Sequence, residues 1–256
     1  MTIAGSDSGG GAGIQADLKT FQALGVYGMT AITAVTVQNT KGVSGYEELS
    51  PETVGEQIRA VVNDIGVDAA KTGMLASAPI IEAVATAIEE TGIPNLVVDP
   101  VFVSKHGHPL LAEDAVGALR SRILPLATLV TPNLPEAAGL AGFEVRTLEE
   151  MARAGRSILD LGARAVLVKG GHRQAADATD LLVTEKGAEP IPGEWVATPH
   201  THGTGCVLSA AVAAYLARGD DLLEAVVGGK AFVAGAIRHA LEIGQGIGPV
   251  DPCWDL

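Results

Sequence analysis

A short glycine-rich segment, Thr201-His202-Gly203-Thr204-Gly205-Cys206, comes directly before the apolar run 207–217. Glycines allow the backbone to turn sharply and to approach a ligand closely, and the apolar run predicts a buried helix. The first N–H groups of a helix are unpaired and carry partial positive charge, so they bind anions. The segment therefore predicts an anion-binding site with the side chain of Cys206 at its rim. An ordinary glycine-rich turn followed by a small buried cysteine is the alternative that the spacing leaves open.

Polar side chains also stand where apolar, strand-like segments end. Ligands of parallel α/β sheets bind beyond the carboxyl ends of the strands, so these side chains are expected to meet in one site. A buried sheet rim has little structural need for them, and their clustering is therefore stronger evidence than any single residue. They are Asp7, Gln38, Asp99, Asn133, Glu136 and Lys169.

The segments that position these residues alternate between strand-like and helix-like patterns. Predicted strands cover residues 2–4, 29–37, 67–71, 95–99, 126–130 and 165–168, and residues 180–184 and 195–198 are expected to close the sheet as an antiparallel pair. Predicted helices cover residues 14–24, 51–65, 77–92, 113–123, 147–161, 207–217 and 222–243. This alternation predicts a three-layer α/β fold, with a mostly parallel central sheet and helices on both faces. No linker, repeat or low-complexity segment interrupts it, so residues 1–256 are expected to form one domain.

The charge balance argues against two classes of partner. With 17 Lys and Arg against 30 Asp and Glu, the 256-residue chain has a formal net charge of −13. Nucleic acids and anionic membrane surfaces are bound by clustered basic side chains, so neither is expected as a partner. A small anionic substrate remains compatible with this charge, because a few local donors and a metal ion are enough to hold one phosphate.

The two cysteines, Cys206 and Cys253, are far apart in the sequence and form neither a disulfide framework nor a C-x-x-C zinc pattern. The N-terminal residues show no signal-peptide pattern, and the longest apolar runs are shorter than a membrane span. We therefore expect a cytoplasmic protein that does not cross a membrane.

Two nucleotide-binding patterns are incomplete in this chain. Residues 11–16 fit G-x-G-x-x-A, but no Asp or Glu lies between Lys19 and Glu47. The acidic residue that a dinucleotide-binding unit places about 20 residues on is therefore missing, which disfavours a nicotinamide-dependent oxidoreductase. Gly229-Lys230 is followed by Ala231 rather than by Ser or Thr, so it is not a P-loop.

Taken together, segments spread over nearly the whole chain resemble the hydroxymethylpyrimidine/phosphomethylpyrimidine kinases of thiamine biosynthesis, which belong to the ribokinase-like superfamily. The long glycine-rich N-terminal segment and the string H-G-T-G-C are the most specific of them. In order, the segments are A-G-S-D (4–7), G-G-G-A-G-I-Q-A-D-L-K (9–19), V-Q-N-T (37–40), K-T-G-M-L (71–75), V-D-P-V (98–101), T-P-N-L-P-E-A (131–137), V-K-G-G-H (168–172), H-G-T-G-C (202–206) and G-I-G-P-V (246–250).

The resemblance implies transfer of the γ-phosphoryl group of ATP to 4-amino-5-hydroxymethyl-2-methylpyrimidine and then to its monophosphate, with Mg²⁺ as cofactor. Phosphoryl transfer depends mainly on positioning and on charge stabilisation. By the same resemblance, Gly203, Thr204, Gly205 and Cys206 form the anion hole, and Lys169 neutralises phosphate charge. The alternative for Lys169 is a surface lysine at a strand end.

Cys206 stands where the superfamily's sugar kinases usually carry an aspartate as general base. A thiol at a helix N-terminus has its pKa lowered from about 8.5 toward neutrality, so the resemblance implies that Cys206 serves as the base. The alternative is that Cys206 only shapes the pocket and that the substrate hydroxyl loses its proton late. Val207 stands where the family often has threonine, which removes one hydroxyl near the anion hole.

Asp99 and the pattern Asn133-x-x-Glu136 resemble the superfamily's magnesium–phosphate site, in keeping with the preference of Mg²⁺ for carboxylate, water and phosphate oxygens. The resemblance implies that Asp99 and Glu136 hold the metal and that Lys169, Asn133 and Gly205 contact ATP. The alternative for Glu136 is an acid in the first turn of a helix, where it favours the helix dipole.

The pyrimidine pocket is implied to contain Gly5, Asp7, Gln38 and Met74. The amide of Gln38 offers a donor and an acceptor to an aminopyrimidine edge, and Met74 packs on the ring; the alternative for Met74 is a place in the core. A homodimer is expected, because the family that the chain resembles is dimeric.

His106 and His108 lie in a loop with no third metal ligand nearby. They are therefore interpreted as part of a mobile flap rather than as a metal site.

Two other functions stay open. A pyridoxal or pyridoxine kinase has a similar fold and acts on a similar hydroxymethyl aza-aromatic alcohol. A sensor that binds the pyrimidine without transferring phosphate is the other, although the acids, the lysine and the anion hole argue against it.

Overall fold

A computed structural model describes residues 1–102, 110, 115–171 and 178–256. The predicted flap histidines, His106 and His108, lie outside these residues. The strands are β1 (Thr2–Ser6), β2 (Thr30–Asn39), β3 (Gly42–Glu48), β4 (Ala70–Thr72), β5 (Leu96–Val98), β6 (Leu129–Val130), β7 (Ala165–Val168), β8 (Asp180–Thr184) and β9 (Gly187–Ile191). The helices are α1 (Gly13–Ala23), α2 (Pro51–Asp64), α3 (Ala78–Thr91), α4 (Ala115–Ala118), α5 (Leu134–Ala141), α6 (Leu148–Leu159), α7 (Thr204–Ala217) and α8 (Leu222–Arg238). A π-helical turn, Leu119–Ile123, and a 3₁₀ turn, Leu124–Leu126, continue α4.

The described strands form one sheet in the order β3-β2-β1-β4-β5-β6-β7-β8-β9. The six central strands, from β2 to β7, pair in parallel. The two edges are antiparallel, because β3 pairs with β2 at one side and β8 and β9 form a hairpin at the other. The predicted α/β class with a mostly parallel sheet is therefore confirmed.

The predicted pairing of residues 195–198 with β8 is wrong. The partner of β8 is β9, which follows it after Glu185 and Lys186. Both β9 and β3 lack the apolar alternation that identifies a half-buried strand, since most of their residues are exposed or half-buried. The predicted last helix is too long, because α8 ends at Arg238.

Buried side chains lie on both faces of the sheet. Successive residues of a strand point to opposite faces, and those of β5 accordingly divide between two buried clusters. Leu96 and Val98 belong to the cluster that includes residues of α2, α3, α5 and α6, whereas Val97 belongs to the one that includes residues of α1, α7 and α8. This division gives the three layers that the sequence predicts.

Several helix starts are fixed by local sequence. Ser50, the N-cap of α2, accepts a hydrogen bond from the N–H of Thr53, and Pro51 follows it. Thr147 and Glu150 form a reciprocal capping box at α6. Both starts agree with the predictions from sequence. In the described part of the chain, no helix combines the length and the apolar character that crossing a bilayer requires.

Candidate active site

One large cavity opens beyond the carboxyl ends of the parallel strands, with a volume of about 1330 Å³. All the site residues named from the sequence line it, so the structure brings them together from both halves of the chain. They are Gly5, Asp7, Gln38, Met74, Asp99, Asn133, Glu136, Lys169, Gly203, Thr204, Gly205 and Cys206.

The N-terminus of α7 forms part of the cavity wall. The helix is entered through Gly203, whose φ of +85° favours glycine, and a Cβ there would lie 1.9 Å from the carbonyl oxygen of Gly11. The N–H of Val207 makes the first intrahelical bond, to the carbonyl oxygen of Gly203 at 2.9 Å. The N–H groups of Gly205 and Cys206 precede it and have no intrahelical acceptor within reach. This end of α7 is therefore a donor-rich surface of positive potential.

Lys169 and Asp99 meet opposite this helix end. The Nζ atom of Lys169, which follows β7, lies 3.0 Å from Oδ1 of Asp99, which follows β5. A Cβ on Gly205 would lie 3.4 Å from Oδ2 of Asp99 and 3.5 Å from Nζ of Lys169. Burial opposes the charge of Lys169, but Asp99 and Glu136 outweigh it and raise the pKa of the amine. A permanent cation and a helix N-terminus thus flank a space that the missing Cβ of Gly205 keeps open.

Asn133 and Glu136 form the capping box at the start of α5. The side-chain oxygen of Asn133 accepts the N–H of Glu136 at 2.9 Å, and the carboxylate of Glu136 accepts the N–H of Asn133 at 2.8 Å. The interpretation of Glu136 as a first-turn acid is thereby confirmed. Burial raises the pKa of Glu136 to about 7; Lys169 opposes the rise and Asp99 adds to it. Asp99 and Glu136 are therefore close enough to repel each other when both are ionised.

No group of three or more His, Cys, Asp or Glu side chains lies close enough to enclose a metal ion within the residues that the structure describes. A metal at Asp99 and Glu136 would take its remaining ligands from donors other than these side chains, such as water or a bound phosphate.

The thiol of Cys206 does not have the lowered pKa that its position at a helix N-terminus predicts. Burial raises it to about 11; Lys71 lowers it, whereas Asp17 and Asp99 raise it. The helix end is favourable for a thiolate, but removal from water costs more.

Lys71, which lines the cavity, and Asp17 are close enough to Cys206 to affect the pKa of its thiol, and neither is among the site residues that the sequence singles out. Their side chains are fully buried, with Nζ of Lys71 3.1 Å from Oδ2 of Asp17. Thr2 donates to the same carboxylate at 2.6 Å. The only sequence signal is a lysine at the end of an apolar strand, and its partner is 54 residues away in the sequence.

Asp7 organises the glycine-rich loop after β1. Its carboxylate accepts the N–H groups of Gly9 at 2.8 Å, Gly11 at 3.0 Å and Ala12 at 2.8 Å. It also lies 3.0 Å from Nε2 of His202. Burial opposes the ionisation of Asp7, but the hydrogen bonds from His202, Gly9 and Ala12 hold its pKa below the usual value. Asp7 lines the cavity, yet both of its oxygens are bound by the protein itself.

Gln38 and Met74 lie at the same end of the cavity as Asp7. The amide of Gln38 lies between Nε2 of His202, at 3.2 Å, and Oγ1 of Thr36, at 3.3 Å. Met74 is 7% exposed, and a Cβ on Gly5 would lie 3.2 Å from its sulfur. The thioether therefore forms an apolar floor beside the amide.

Another part of the cavity wall is apolar and comes from α8 and from residues 195–199. Lys230 on α8 pairs with Asp180, whose Oδ1 accepts the N–H of Gly170 at 2.8 Å. This wall therefore adjoins the residue that follows Lys169. Its apolar members are Val196, Pro199, Val233, Ala234 and Ile237.

Comparison with known proteins gives a consistent result. The family model of phosphomethylpyrimidine kinase matches residues 7–251. A hydroxymethylpyrimidine/phosphomethylpyrimidine kinase of Streptomyces coelicolor is 52% identical over 261 residues, which cover 100% of this chain and 94% of that protein. A thiamine biosynthesis bifunctional protein of Geobacter sulfurreducens is 49% identical over 98% of this chain and 51% of its own length.

A solved structure agrees with these relatives in fold. The ADP complex of Bacillus subtilis pyridoxal kinase has a TM-score of 0.91 and 43% identity to this chain, and the match covers 98% of this chain and 95% of that one. The fold is therefore shared with a kinase of another hydroxymethyl alcohol.

Proposed function

Because the chain belongs to the phosphomethylpyrimidine kinase family, we propose that it catalyses two ATP-dependent steps of thiamine biosynthesis. The first transfers the γ-phosphoryl group of ATP to the hydroxyl of 4-amino-5-hydroxymethyl-2-methylpyrimidine, and the second transfers another to the monophosphate so formed. The observation that supports this most is that one cavity of about 1330 Å³ joins the Gln38 end, the N-terminus of α7 and the Lys169–Asp99 pair. Pockets for one drug-sized ligand measure about 300–1,000 Å³, so this larger cavity has room for two ligands side by side.

The transferred phosphoryl group lies at the N-terminus of α7 in this proposal. The N–H groups of Gly205 and Cys206 are donors without intrahelical partners, and Lys169 brings a positive charge to the same space. The transition state of phosphoryl transfer carries charge on its equatorial oxygens. Donors that are already oriented stabilise that charge without having to rearrange.

Asp99 and Glu136 fit a magnesium ion. Both are carboxylates that line the cavity, and the pKa of Glu136 is raised by burial, with a smaller contribution from the charge of Asp99, so a bound divalent cation would favour the ionised form of both. Mg²⁺ keeps several waters and binds one or two carboxylates together with substrate phosphates, which agrees with the absence of a third acidic, His or Cys ligand in the described residues. When bound, the ion neutralises phosphate charge.

Cys206 is proposed to lie against the hydroxyl of the pyrimidine and to accept its proton. The thiol lines the cavity at the first turn of α7. Since burial raises its pKa to about 11, the reactive thiolate is the minor form at pH 7. The neighbouring charge of Lys71 favours that form, and the rate of the reaction is therefore expected to rise with pH.

The rest of the nucleotide extends along the wall formed by α8 in this proposal. Asn133 and Lys169 lie side by side at the ends of β6 and β7, where an isolated bridge joins their backbones, and they contact the phosphates. The apolar side chains of Val196, Val233 and Ile237 pack on the adenine ring, as flat apolar walls suit an aromatic base.

The chain is proposed to act as a single domain and as a homodimer. The described part of the sheet is continuous from β3 to β9, which supports one folding unit. On the outer face of β2, Val35 is 48% and Val37 is 64% exposed, and they lie on the same face of the strand. Interaction surfaces are formed by contiguous exposed apolar side chains, and we propose that these two valines belong to the surface that meets the second copy. Sedimentation of the wild type and of Val37→Lys tests this, with a dimer expected for the former and a monomer for the latter.

Pyridoxal is the second candidate substrate. The observation in its favour is the close structural match to a pyridoxal kinase, with a TM-score of 0.91. Pyridoxal also carries a hydroxymethyl group on an aza-aromatic ring, so it presents the same nucleophile to Cys206.

The test is to incubate the purified protein with Mg-ATP and the pyrimidine alcohol, with pyridoxal in parallel, and to follow the products by ³¹P NMR. The monophosphate and then the diphosphate are expected, with both lost in Cys206→Ala. Cys253→Ala is the matched control, because Cys253 is also half-buried but does not line the cavity. Phosphate transfer to pyridoxal alone would identify a vitamin B6 kinase, and transfer to neither alcohol would overturn the proposal.

A further inference from the structure

His202 and Gln38 come from distant parts of the chain and meet at the pyrimidine end of the cavity. The Nε2 atom of His202 lies 3.0 Å from Oδ2 of Asp7 and 3.2 Å from the amide nitrogen of Gln38. The ring is fixed by packing, because His202 is 6% exposed and a Cβ on Gly11 would lie 2.6 Å from its Cδ2. The resemblance and the comparisons give no role to this histidine.

The contact with Asp7 determines where a hydrogen must be. The carboxylate of Asp7 accepts the backbone N–H groups of Gly9, Gly11 and Ala12, which favour its ionised form, and an ionised carboxylate only accepts hydrogen bonds. The Nε2 atom of His202 therefore carries a hydrogen and acts as a donor. This holds whether or not the other ring nitrogen is protonated.

The hydrogen on His202 in turn determines how the amide of Gln38 is oriented. An amide nitrogen is itself a donor, so it does not bond to the N–H of His202. At the other end of the amide, Thr36 Oγ1 lies 3.3 Å from Gln38 Oε1, but its one hydrogen is donated to the carbonyl oxygen of Ser6 at 2.9 Å. Exchanging the oxygen and nitrogen of the amide, which have nearly the same shape, resolves both conflicts at once. The Nε2 hydrogen of His202, which is bonded to Asp7, then faces an amide oxygen rather than a second donor, and Gln38 Nε2 donates to Thr36.

We propose that His202 is a positioning residue that sets substrate specificity, because its Nε2 hydrogen, held by Asp7, fixes the orientation of the Gln38 amide. The identity of the substrate in this inference rests on the proposed function. The orientation itself rests only on the four side chains of Asp7, Thr36, Gln38 and His202.

The fixed amide favours one order of donor and acceptor in the ligand. One N–H and one oxygen lone pair of Gln38 remain for the cavity. In the pyrimidine, the amine donor is next to the carbon that carries the hydroxymethyl group, and a ring-nitrogen acceptor follows it. Pyridoxal has a carbonyl acceptor where the pyrimidine has its amine donor, so it does not present this order. Because the hydroxymethyl group of either ligand must reach Cys206, only the pyrimidine matches the orientation that His202 imposes.

The binding test compares the dissociation constants of the pyrimidine alcohol and of pyridoxal by calorimetry. His202→Met removes the donor and frees the amide to turn, so pyrimidine binding is expected to weaken by about 10–100-fold and pyridoxal binding by less than about 3-fold. His202→Gln keeps an N–H₂ group that reaches both Asp7 and Gln38, so the ratio of the two constants is expected to stay within about 3-fold of the wild type. His200→Gln is the control. His200 lies two residues before His202, accepts a hydrogen bond from the N–H of Gly248 and does not line the cavity.

The hydrogen itself is tested in the wild-type protein without ligand, from the ¹⁵N chemical shifts of His202 and their couplings to the ring protons. A protonated Nε2 is expected. An unprotonated Nε2, or an unchanged ratio of dissociation constants in His202→Met, would overturn the inference. The spectrum needs neither a variant nor phosphate transfer, so loss of the proposed function would be recognised separately, by the absence of phosphorylated products.

Discussion

Lys71 and Asp17 form an ion pair in which neither side chain is exposed, with Nζ of Lys71 3.1 Å from Oδ2 of Asp17. The pair is close enough to Cys206 to affect its thiol: burial raises the pKa of the thiol most, Lys71 lowers it and Asp17 raises it. Burying two charges is costly, and removing one partner leaves the other without compensation. The pair therefore links the stability of the sheet to the charge environment of the proposed base.

Replacing Lys71 with methionine is expected to destabilise the protein by about 3–5 kcal/mol, because Asp17 is left buried and unpaired. Asp17→Asn in the same chain should recover part of the loss. Urea denaturation measures both changes. Lys186→Met, at an exposed position in the turn between β8 and β9, is the control and is expected to change stability by less than about 0.5 kcal/mol.

The loss in Lys71→Met is also expected to depend on pH. Burial already raises the pKa of Asp17, with Lys71 opposing the rise, and the variant raises it further. A raised folded-state pKa means that ionisation costs stability as pH rises, so the loss should be largest near pH 7 and shrink toward about pH 4. A loss of equal size at both ends of that range would show that the charge of Asp17 is not its cause.

The thiol of Cys206 is expected to react with iodoacetamide at a rate that rises about tenfold for each unit of pH from about 7 to 10. The reason is that burial raises its pKa to about 11, so that the thiolate stays scarce over this range. Mass spectrometry of Cys253→Ser follows the modification of Cys206 alone. A rate that levels off near pH 7 would contradict the expectation.

The turnover of the pyrimidine should follow the same titration if Cys206 takes its proton. The value of kcat/KM is then expected to rise over the same range in the wild type. A pH-independent kcat/KM would instead favour a Cys206 that only shapes the pocket.

The two glycines that flank Thr204 are expected to respond differently to alanine. Gly203→Ala places a Cβ 1.9 Å from the carbonyl oxygen of Gly11 at a φ of +85°, so it should destabilise the fold by more than about 1 kcal/mol. Gly205→Ala meets Asp99 and Lys169 only at ordinary contact distances of 3.4 and 3.5 Å. It should therefore fold as well as the wild type while filling the space proposed for the phosphoryl group.

Thermal melting and steady-state rates separate these effects. Gly205→Ala should lower kcat by about 10²-fold or more with an unchanged melting temperature. If Gly205→Ala were fully active, the transferred phosphoryl group would not bind at the N-terminus of α7, and that part of the proposal would be wrong.

The place of the site is the part of this protein that the sequence predicts best. Asp99, Asn133 and Lys169 each follow a buried parallel strand, and parallel topology brings such positions to one edge of the sheet. The pattern of apolar residues is enough for this, because buried strands must be apolar on both faces. The exposed edge strands β3 and β9 have no such apolar pattern, so neither was predicted from the sequence.

The partners of individual side chains depend on the tertiary fold and were not found in the sequence. His202 and Asp7 are 195 residues apart, and no local pattern relates them. The pKa of Cys206 has the same origin, since the helix N-terminus is visible in the sequence but the burial that outweighs it is not. The environment of a side chain can therefore be predicted from the sequence where one helix or strand determines it. It cannot be predicted where two elements distant in the sequence determine it together.

Glu136→Gln is expected to become more stable relative to the wild type as the pH rises, and to be less active than the wild type. The folded-state pKa of Glu136 is about 7, above its ordinary value of 4.5, so the stability that its neutral form contributes is present below about pH 4.5 and lost through about pH 7. Glutamine stays neutral and still accepts the N–H of Asn133, so the capping box is kept. Denaturation at about pH 5 and pH 8 should show the variant gaining on the wild type, while the concentration of Mg²⁺ needed for half-maximal rate increases.

Glu150→Gln is the matched control, because Glu150 fills the same place in the capping box of α6. Hydrogen bonds from the N–H groups of Arg146 and Thr147 lower the pKa of Glu150, so its ionised form is the stabilising one. This variant should be less stable than the wild type at about pH 7, and the difference should shrink below the ordinary pKa of a glutamate and disappear as the pH falls through the lowered pKa of the folded state. Its rate and its Mg²⁺ dependence should not change. If both variants respond to pH with the same sign, burial beside Asp99 is not what distinguishes Glu136.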